Sequence, residues 1–294
     1  MQDLFLVAAE AAKTDLPVLI FGESGSGKSR LAEYIHQKSG RAAKSLGCVR
    51  CGGVSPVMWE REFRDVLVSC ADGTLFLEEI SSLSAGAQKQ LLTALKGGFF
   101  EDPDTGAKIP VRLRIIAAAA RDMESLVEGG DFLSDLYYRL NVFPLFVPPL
   151  RKRQEDIAPL AQLFLDKYGK EKGFAGFSEE ALGTLQACRW PGNIRELENA
   201  VQRGCAFGTA PFIQARDLRL QIRFSGYALA LRGDDEEQDK SLKTALTHFK
   251  KAYLTRILNE TAWNQTRAAK VLDIQRTYVS RLLRELKIRE IKQE

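Results

Sequence analysis

Two short stretches carry residue types suited to phosphate chemistry. In "LPVLIFGESGSGKSRLAEYIH", residues 16–36, the pattern Gly22-x4-Gly27-Lys28-Ser29 lies between an apolar run and an amphipathic one. Glycines let a backbone curl until several N–H groups face one anion, and a helix starting beyond them adds its positive end. Lys28 would reach the outer phosphates, and the Ser29 hydroxyl would ligate magnesium. The second stretch, "GTLFLEEI", residues 73–80, ends in Glu78 and Glu79. Adjacent acids after a buried strand suit metal binding and water activation, but they equally suit a strand end that meets solvent. The first stretch also has a plainer reading as a glycine-rich turn before a helix. Its strand–loop–helix context favours a nucleotide.

These residues need elements to position them. Val18–Phe21 reads as a short buried parallel strand, and Leu31, Ala32 and Ile35 repeat at helical spacing. Val57 to Leu67 reads as a helix in which Val57, Met58, Arg61, Phe63 and Leu67 are only loosely periodic. "FEDPDTGAKIPVRLRIIAA" reads as a hairpin turning at Asp104-Thr105-Gly106 and feeding a central strand. Pro148-Pro149 ends the α/β part and opens a lid, into which Trp190 packs.

The chain has 294 residues, 45% hydrophobic and 27% charged, enough for two domains of ordinary globular composition. No apolar run approaches the ~20 residues of a membrane span, and the start "MQDLFLVAAEAAK" reads as an amphipathic helix and not a secretory signal. Five cysteines suggest a reducing compartment, so a cytoplasmic location without membrane contact is expected. Cys48-x2-Cys51 lacks a second close pair of ligands, and no zinc site is expected. Residues 240–294 hold 13 Lys/Arg against 5 Asp/Glu, whereas residues 1–239 hold 29 against 33. The acidic run "GDDEEQD", residues 233–239, has nothing apolar to bury and reads as a linker. A basic tail beyond it suits either a polyanion or solvent.

Several stretches then converge in order: "GESGSGKS", "ADGTLFLEEI", "AQKQLLTALKGGFFE", "VRLRIIAAAARD", "FLSDLYYRLNVFPLFVPPLRKRQEDI" and "WPGNIRELENAV". Together they resemble the central AAA+ domain of bacterial enhancer-binding proteins, the sigma-54-dependent transcription activators, from near residue 1 to about residue 220. The resemblance implies a P-loop α/β fold with a helical lid, and a ring of subunits binding ATP and Mg2+ between neighbours. Carried over by position, Gly22, Glu23, Ser24, Gly25, Ser26, Gly27, Lys28 and Ser29 would hold the phosphates. Ser29 and Glu78 would hold the metal, and Glu79 would polarise the attacking water. Arg195 matches the lid arginine that senses nucleotide. Arg139 matches an arginine donated across the subunit interface.

The departures from the pattern concern catalysis. Glu78 stands where the family has aspartate, and its carboxylate sits one methylene further out. Leu133 replaces a second trans arginine, Ala120 replaces the sensing asparagine of "ATNRD", and Arg50 in "CVRC" stands at the asparagine that gates the catalytic glutamate. Hydrolysis is therefore expected to be weak or absent. The 21 residues between Cys51 and Gly73 contain no "GAFTGA" loop, so the usual sigma-54 contact is not expected.

At the other end, "SLKTALTHFKKAYLTRILNET" places Leu242, Leu246, Phe249, Tyr253, Ile257 and Leu258 on one helical face. That face suits intradomain packing or a dimer seam. "NQTRAAKVLDIQRTYVSRLLRELKI" reads as a helix-turn-helix, with Thr266 capping the first helix, a turn at Asp273-Ile274 and a second helix over Gln275–Leu286. It resembles the Fis-type DNA-binding domain. Arg276, Thr277, Tyr278, Ser280 and Arg281 are placed for base edges, whereas Arg284, Lys287 and Arg289 suit phosphates.

The expected organisation is an α/β domain over 1–148, a helical lid over 149–222, a linker over 223–240 and an all-α helix-turn-helix domain over 241–294. The expected function is an ATP-binding, sequence-specific regulator of transcription acting on double-stranded DNA. It would dimerise through the C-terminal domain and form rings through the AAA+ part. Two alternatives stand beside it: an active ATPase that remodels sigma-54 RNA polymerase, and a degenerate subunit that modulates a loop-bearing paralogous regulator.

Overall fold

A computed structural model describes residues 1–53, 55–102 and 104–218, and beyond them 247, 250–251, 253–255, 257–258, 261, 263–286 and 288. The expected linker over 223–240, the helix positions Leu242, Leu246 and Phe249, and Lys287 and Arg289 lie outside the described residues. The chain divides into two units, Met1–Arg219 and Leu220–Glu294.

Five parallel strands organise the first unit: β1 (Val18–Phe21), β2 (Leu46–Arg50), β3 (Thr74–Glu78), β6 (Arg114–Ala119) and β7 (Phe143–Phe146), in the order β2-β3-β6-β1-β7. Side chains alternate across such a sheet, and both faces here are covered by helices. On one face Leu19, Leu75, Leu77, Ile115 and Ala117 pack with Trp59, Phe63, Leu91 and Leu136. On the other, Val18, Ile20, Phe76, Ile116 and Ala118 pack with Ala8, Leu31 and Ile35. Each large apolar side chain buried this way contributes about 1.5–3 kcal/mol. Leu19 and Ile20 thus anchor β1 from opposite sides, and its C-terminal end, where Gly22 begins the glycine-rich loop, is fixed between β6 and β7.

Two buried basic side chains tie the flanks. Arg114, at the start of β6, is 1% exposed and donates from Nη2 to Ala11 O (2.7 Å) and from Nη1 to Ala12 O (3.3 Å), closing the C-terminal end of α1 (Gln2–Ala12). His36 on α2 (Lys28–Gln37) is buried, with Nδ1 2.9 Å from Thr74 Oγ1 and Nε2 3.1 Å from Lys44 O.

The interval after β2 is a helix, α3 (Pro56–Ser69), started by Pro56 in its first turn and by Ser55, whose side chain accepts from Met58 N. The buried stripe is Trp59, Phe63 and Leu67, an i, i+4, i+8 series, so the loosely periodic set read from sequence is corrected: Val57, Met58 and Arg61 are exposed. Trp59 stacks on Phe63 at 4.9 Å, and Phe63 meets Phe100 edge-on at 5.2 Å. Phe100 belongs to the hairpin β4 (Phe99–Glu101) and β5 (Lys108–Pro110), which turns at Asp104–Gly106. Also on this side of the sheet are α4 (Ala85–Gly97), α5 (Met123–Glu128) and α6 (Ser134–Leu140).

The lid comprises α7 (Ile157–Tyr168), α8 (Glu179–Ala187) and α9 (Asn193–Phe207), with a short parallel pair of β8 (Gly176–Phe177) and β9 (Phe212–Ile213). Trp190 is fully buried between α8 and α9, and its Nε1–H donates to Leu185 O at 2.9 Å.

In the second unit, α10 (Gln265–Val271) and α11 (Arg276–Glu285) meet over a core of Leu254, Ile257, Leu258, Ala268, Ala269 and Val279. Asp273, at φ 54°, takes the left-handed position in the turn between them. The expected cap at Thr266 is corrected. Asn264 is the N-cap, its Oδ1 accepting from Thr266 N and Arg267 N at 3.1 Å each, and it starts the helix two residues earlier than a Thr266 cap would. Replacing Asn264 with Ala should quicken amide exchange across Gln265–Val271 by about five- to tenfold, the equivalent of ~1 kcal/mol. The change Thr266→Ala should alter it by less than about twofold.

Candidate functional site

The loop from Gly22 to Gly27 leaves β1 and enters α2 directly. Gly25 has φ +74°, and a Cβ there would lie 2.4 Å from Gly192 O, so both the torsion and the close approach require glycine. Gly27, at φ +104°, is the left-handed N-cap of α2. Lys28 is buried, and its Nζ donates to Gly22 O (2.7 Å) and Glu23 O (3.1 Å), folding the loop around its ammonium. Burial pushes the Lys28 pKa down, opposed by Glu79 and Glu78.

The lid holds the same loop from the outside. Arg151 donates to Glu23 as a fork, Nη1 to Oε2 at 2.7 Å and Nη2 to Oε1 at 2.6 Å. Asn193 Nδ2 reaches Glu23 Oε2 and Ser24 O, both at 3.1 Å, while its Oδ1 accepts from Leu150 N at 2.8 Å. Buried Arg153 donates to Ser26 O at 2.6 Å, and Ile194 N donates to Gly25 O at 2.9 Å. Arg195 Nη1 lies 3.1 Å from Ser24 Oγ, beside the loop as the sequence suggested. The hydrogen bonds from Arg151 and then Asn193, with the charge of Arg151 and Lys152, hold the Glu23 carboxyl at about 2. The Glu23 side chain thus serves the lid, and its backbone alone faces the loop interior.

The two acids lie on the other side. Register pairs Arg50 with Glu78 across β2 and β3. Glu78 Oε1 accepts from Ser29 Oγ at 3.1 Å, and Glu78 Oε2 lies 3.6 Å from Arg50 Nε. Glu79 follows the strand with φ 60°; its Oε1 accepts from Ser81 Oγ (2.5 Å) and Ala120 N (2.9 Å), and its Oε2 is 3.9 Å from Lys28 Nζ. Each carboxylate therefore has a cation beside it, and no cluster of three His, Cys, Asp or Glu able to hold a metal occurs among the described residues. With a cation already beside each acid, the pair offers a divalent ion less net negative charge than two bare carboxylates would.

Gly22, Ser24, Ser26, Lys28, Ser29, Glu78, Glu79 and Arg195 are thus brought together. Arg139, exposed on α6, is not: it lines a cavity of about 210 Å³ with Pro17, Leu95, Val111 and Leu113 and forms no hydrogen bond or ion pair among the described residues. Arg151, Arg153, Asn193 and Ser81 make contacts at this site that the sequence reading did not single out. The strings "PLRKR" and "WPGNIREL" were its available signal.

In the second unit, Arg276, Thr277, Tyr278, Arg281 and Arg284 are exposed on α11. Arg281 lies 4.7 Å over the Tyr278 ring and 3.7 Å from Glu285 Oε1. Ser280 is half-buried, with its hydroxyl 2.9 Å from Gln265 Oε1, bridging the two helices.

Residues 1–150 match a family described as the sigma-54 interaction domain, residues 151–229 an AAA+ ATPase lid domain, and residues 245–286 a bacterial regulatory protein of the Fis family. The transcriptional regulatory protein ZraR of Klebsiella oxytoca is 37% identical over 93% of this chain and 64% of its own length. The Nif-specific regulatory protein of Rhodobacter capsulatus is 40% identical over 70% of this chain and 38% of its own. The chain therefore spans less than two-thirds of these relatives. A crystal structure of NtrX from Brucella abortus in complex with ATP superposes with a TM-score of 0.70 at 28% identity, over 98% of this chain and 68% of that one.

The ionised form of Glu23 is the stabilised one. Its contribution is complete above the ordinary carboxyl value of 4.5 and is lost as pH falls from there through about 2. Thermal melts across that window should show a smaller acid-side loss for Glu23→Gln than for the parent, whose melting temperature at neutral pH should be the higher. Parallel curves with a constant offset would contradict the ion-pair assignment.

Proposed function

Because this chain belongs to the family of sigma-54-dependent transcriptional regulators, we propose that it is a nucleotide-binding, DNA-binding regulator whose triphosphate site governs assembly more than it drives work. The observation that carries the reading is the state of Glu79. A general base or water-orienting carboxylate must be free to turn toward the attacking water. Glu79 instead has one oxygen shared between Ser81 and the backbone of Ala120 and the other facing Lys28. The phosphates of a nucleoside triphosphate would be held by Lys28, Ser29 and the amides of the loop, with Arg195 on the lid side. NtrX has been solved with ATP, which supports that ligand class here.

Bound nucleotide favours whichever oligomer binds it better, by mass action. Arg139, which is exposed and forms no hydrogen bond or ion pair among the described residues, suits a neighbour's site in a ring. Leu133 removes a second such charge. Contact with sigma-54 RNA polymerase, implied by the family, would have to use a surface other than a GAFTGA loop, because α3 and its turns fill that interval.

For DNA, Arg276 and Thr277 at the exposed start of α11 would reach base edges, and Arg284 would meet phosphate. Gel shifts with genomic fragments should show specific binding by the parent protein. Arg276→Ala should weaken it by ~1–3 kcal/mol with relaxed sequence preference, whereas Arg284→Ala should weaken all sequences alike. No specific binding by the parent would favour a subunit that modulates a paralogue. Phosphate release by the parent protein should be near background. The pair Ala120→Asn with Leu133→Arg should raise it, by about 10² or more if each restores a stabilising group. Parent turnover that the pair leaves unchanged would overturn the hydrolysis reading.

A further inference from the structure

Arg50 changes what the nucleotide site asks of its counter-ions. β2 and β3 run parallel, and their register sets Arg50 opposite Glu78, so the sheet fixes the position of the guanidinium relative to the acid. The extra methylene of Glu78 carries one oxygen to within 3.6 Å of Arg50 Nε while the other accepts from Ser29 Oγ at 3.1 Å. Across the loop, Lys28 Nζ stands 3.9 Å from Glu79 Oε2. The two carboxylates nearest the Ser29 hydroxyl are thus each matched by a cation, and the local charge is close to zero. In a site with an uncompensated acid, a triphosphate is repelled unless a divalent cation enters with it. The same acid attracts that cation.

We propose that Arg50 takes the place of the divalent cation in this site, so that the chain binds nucleoside triphosphate with little dependence on magnesium. This rests on the nucleotide reading given above. Arg50 is 78% exposed, so water and salt weaken its field, and its effect is the modest one of a single nearby charge. It also makes the residue replaceable without disturbing the core.

The test is equilibrium binding of ATP to the full chain, in millimolar magnesium chloride and in EDTA, for the parent protein, Arg50→Asn and Arg50→Lys. Circular dichroism and thermal melts confirm that each variant is folded. The parent Kd should differ by less than about threefold between the two conditions. In Arg50→Asn the metal-free Kd should rise and magnesium should then tighten binding by about tenfold, the scale of one largely screened charge near a surface. Arg50→Lys keeps the charge and should follow the parent. Equal tightening by magnesium in the parent and Arg50→Asn would overturn the role of Arg50 while leaving the nucleotide site standing. Magnesium indifference in both would also remove Arg50 as the cause. No ATP binding by the parent in either condition would remove the nucleotide reading itself.

Discussion

A backbone loop shaped to receive an anion must turn its N–H groups toward one point, and a chain segment in that state makes few bonds to itself. It keeps its shape only if other groups hold it from behind. Between Gly22 and Gly27 that work is divided. Lys28 draws the carbonyls of Gly22 and Glu23 together from the inside. Arg153, Ile194 and Asn193 take the carbonyls of Ser26, Gly25 and Ser24 from the lid. Two further features on the lid side follow from this clasp. Gly25 admits no side chain because the lid backbone already touches it, and Arg195 stands at Ser24 because α9 begins at Asn193.

The acids form the second constraint, one of charge. Glu78 ends β3 and Glu79 follows it, close enough that two bare carboxylates would repel a third anion. A site of this kind needs compensating positive charge, supplied here by Arg50 and Lys28 from fixed positions. Fixed side chains cost no metal recruitment, but they cannot leave when chemistry requires it. A carboxylate bonded to Ser81 and Ala120 is poorly placed to polarise water. Retained binding with lost turnover, as proposed above, would be a single physical outcome of this one arrangement.

Much of this was legible in the sequence where the signal is local. The strand at Val18–Phe21, the glycine pattern, the hairpin turning at Asp104–Gly106 and the two helices around Asp273 follow from period, turn residues and torsion preference within a few residues. The stretch after Cys51 was read as helical, but its buried side was not, because Trp59, Phe63 and Leu67 compete with the equally apolar Val57 and Met58. What decides between them is Phe100 on a hairpin some forty residues away. The contacts between Arg151 and Glu23, and between Asn193 and Ser24, join positions far apart in the chain and carry no periodic signature. Asn264 was missed for a smaller reason: with Thr266 two residues on, both are good caps, and the backbone chose the earlier one.

Whether this pocket grips a triphosphate without cleaving it, as proposed, is tested most directly by the fate of the bound nucleotide. The protein is incubated with γ-labelled ATP, separated rapidly from free nucleotide and denatured, and the released species are resolved by chromatography. Intact ATP, retained by the parent protein and absent from Lys28→Ala, is the expected result. ADP with released phosphate in the protein-bound fraction would contradict it.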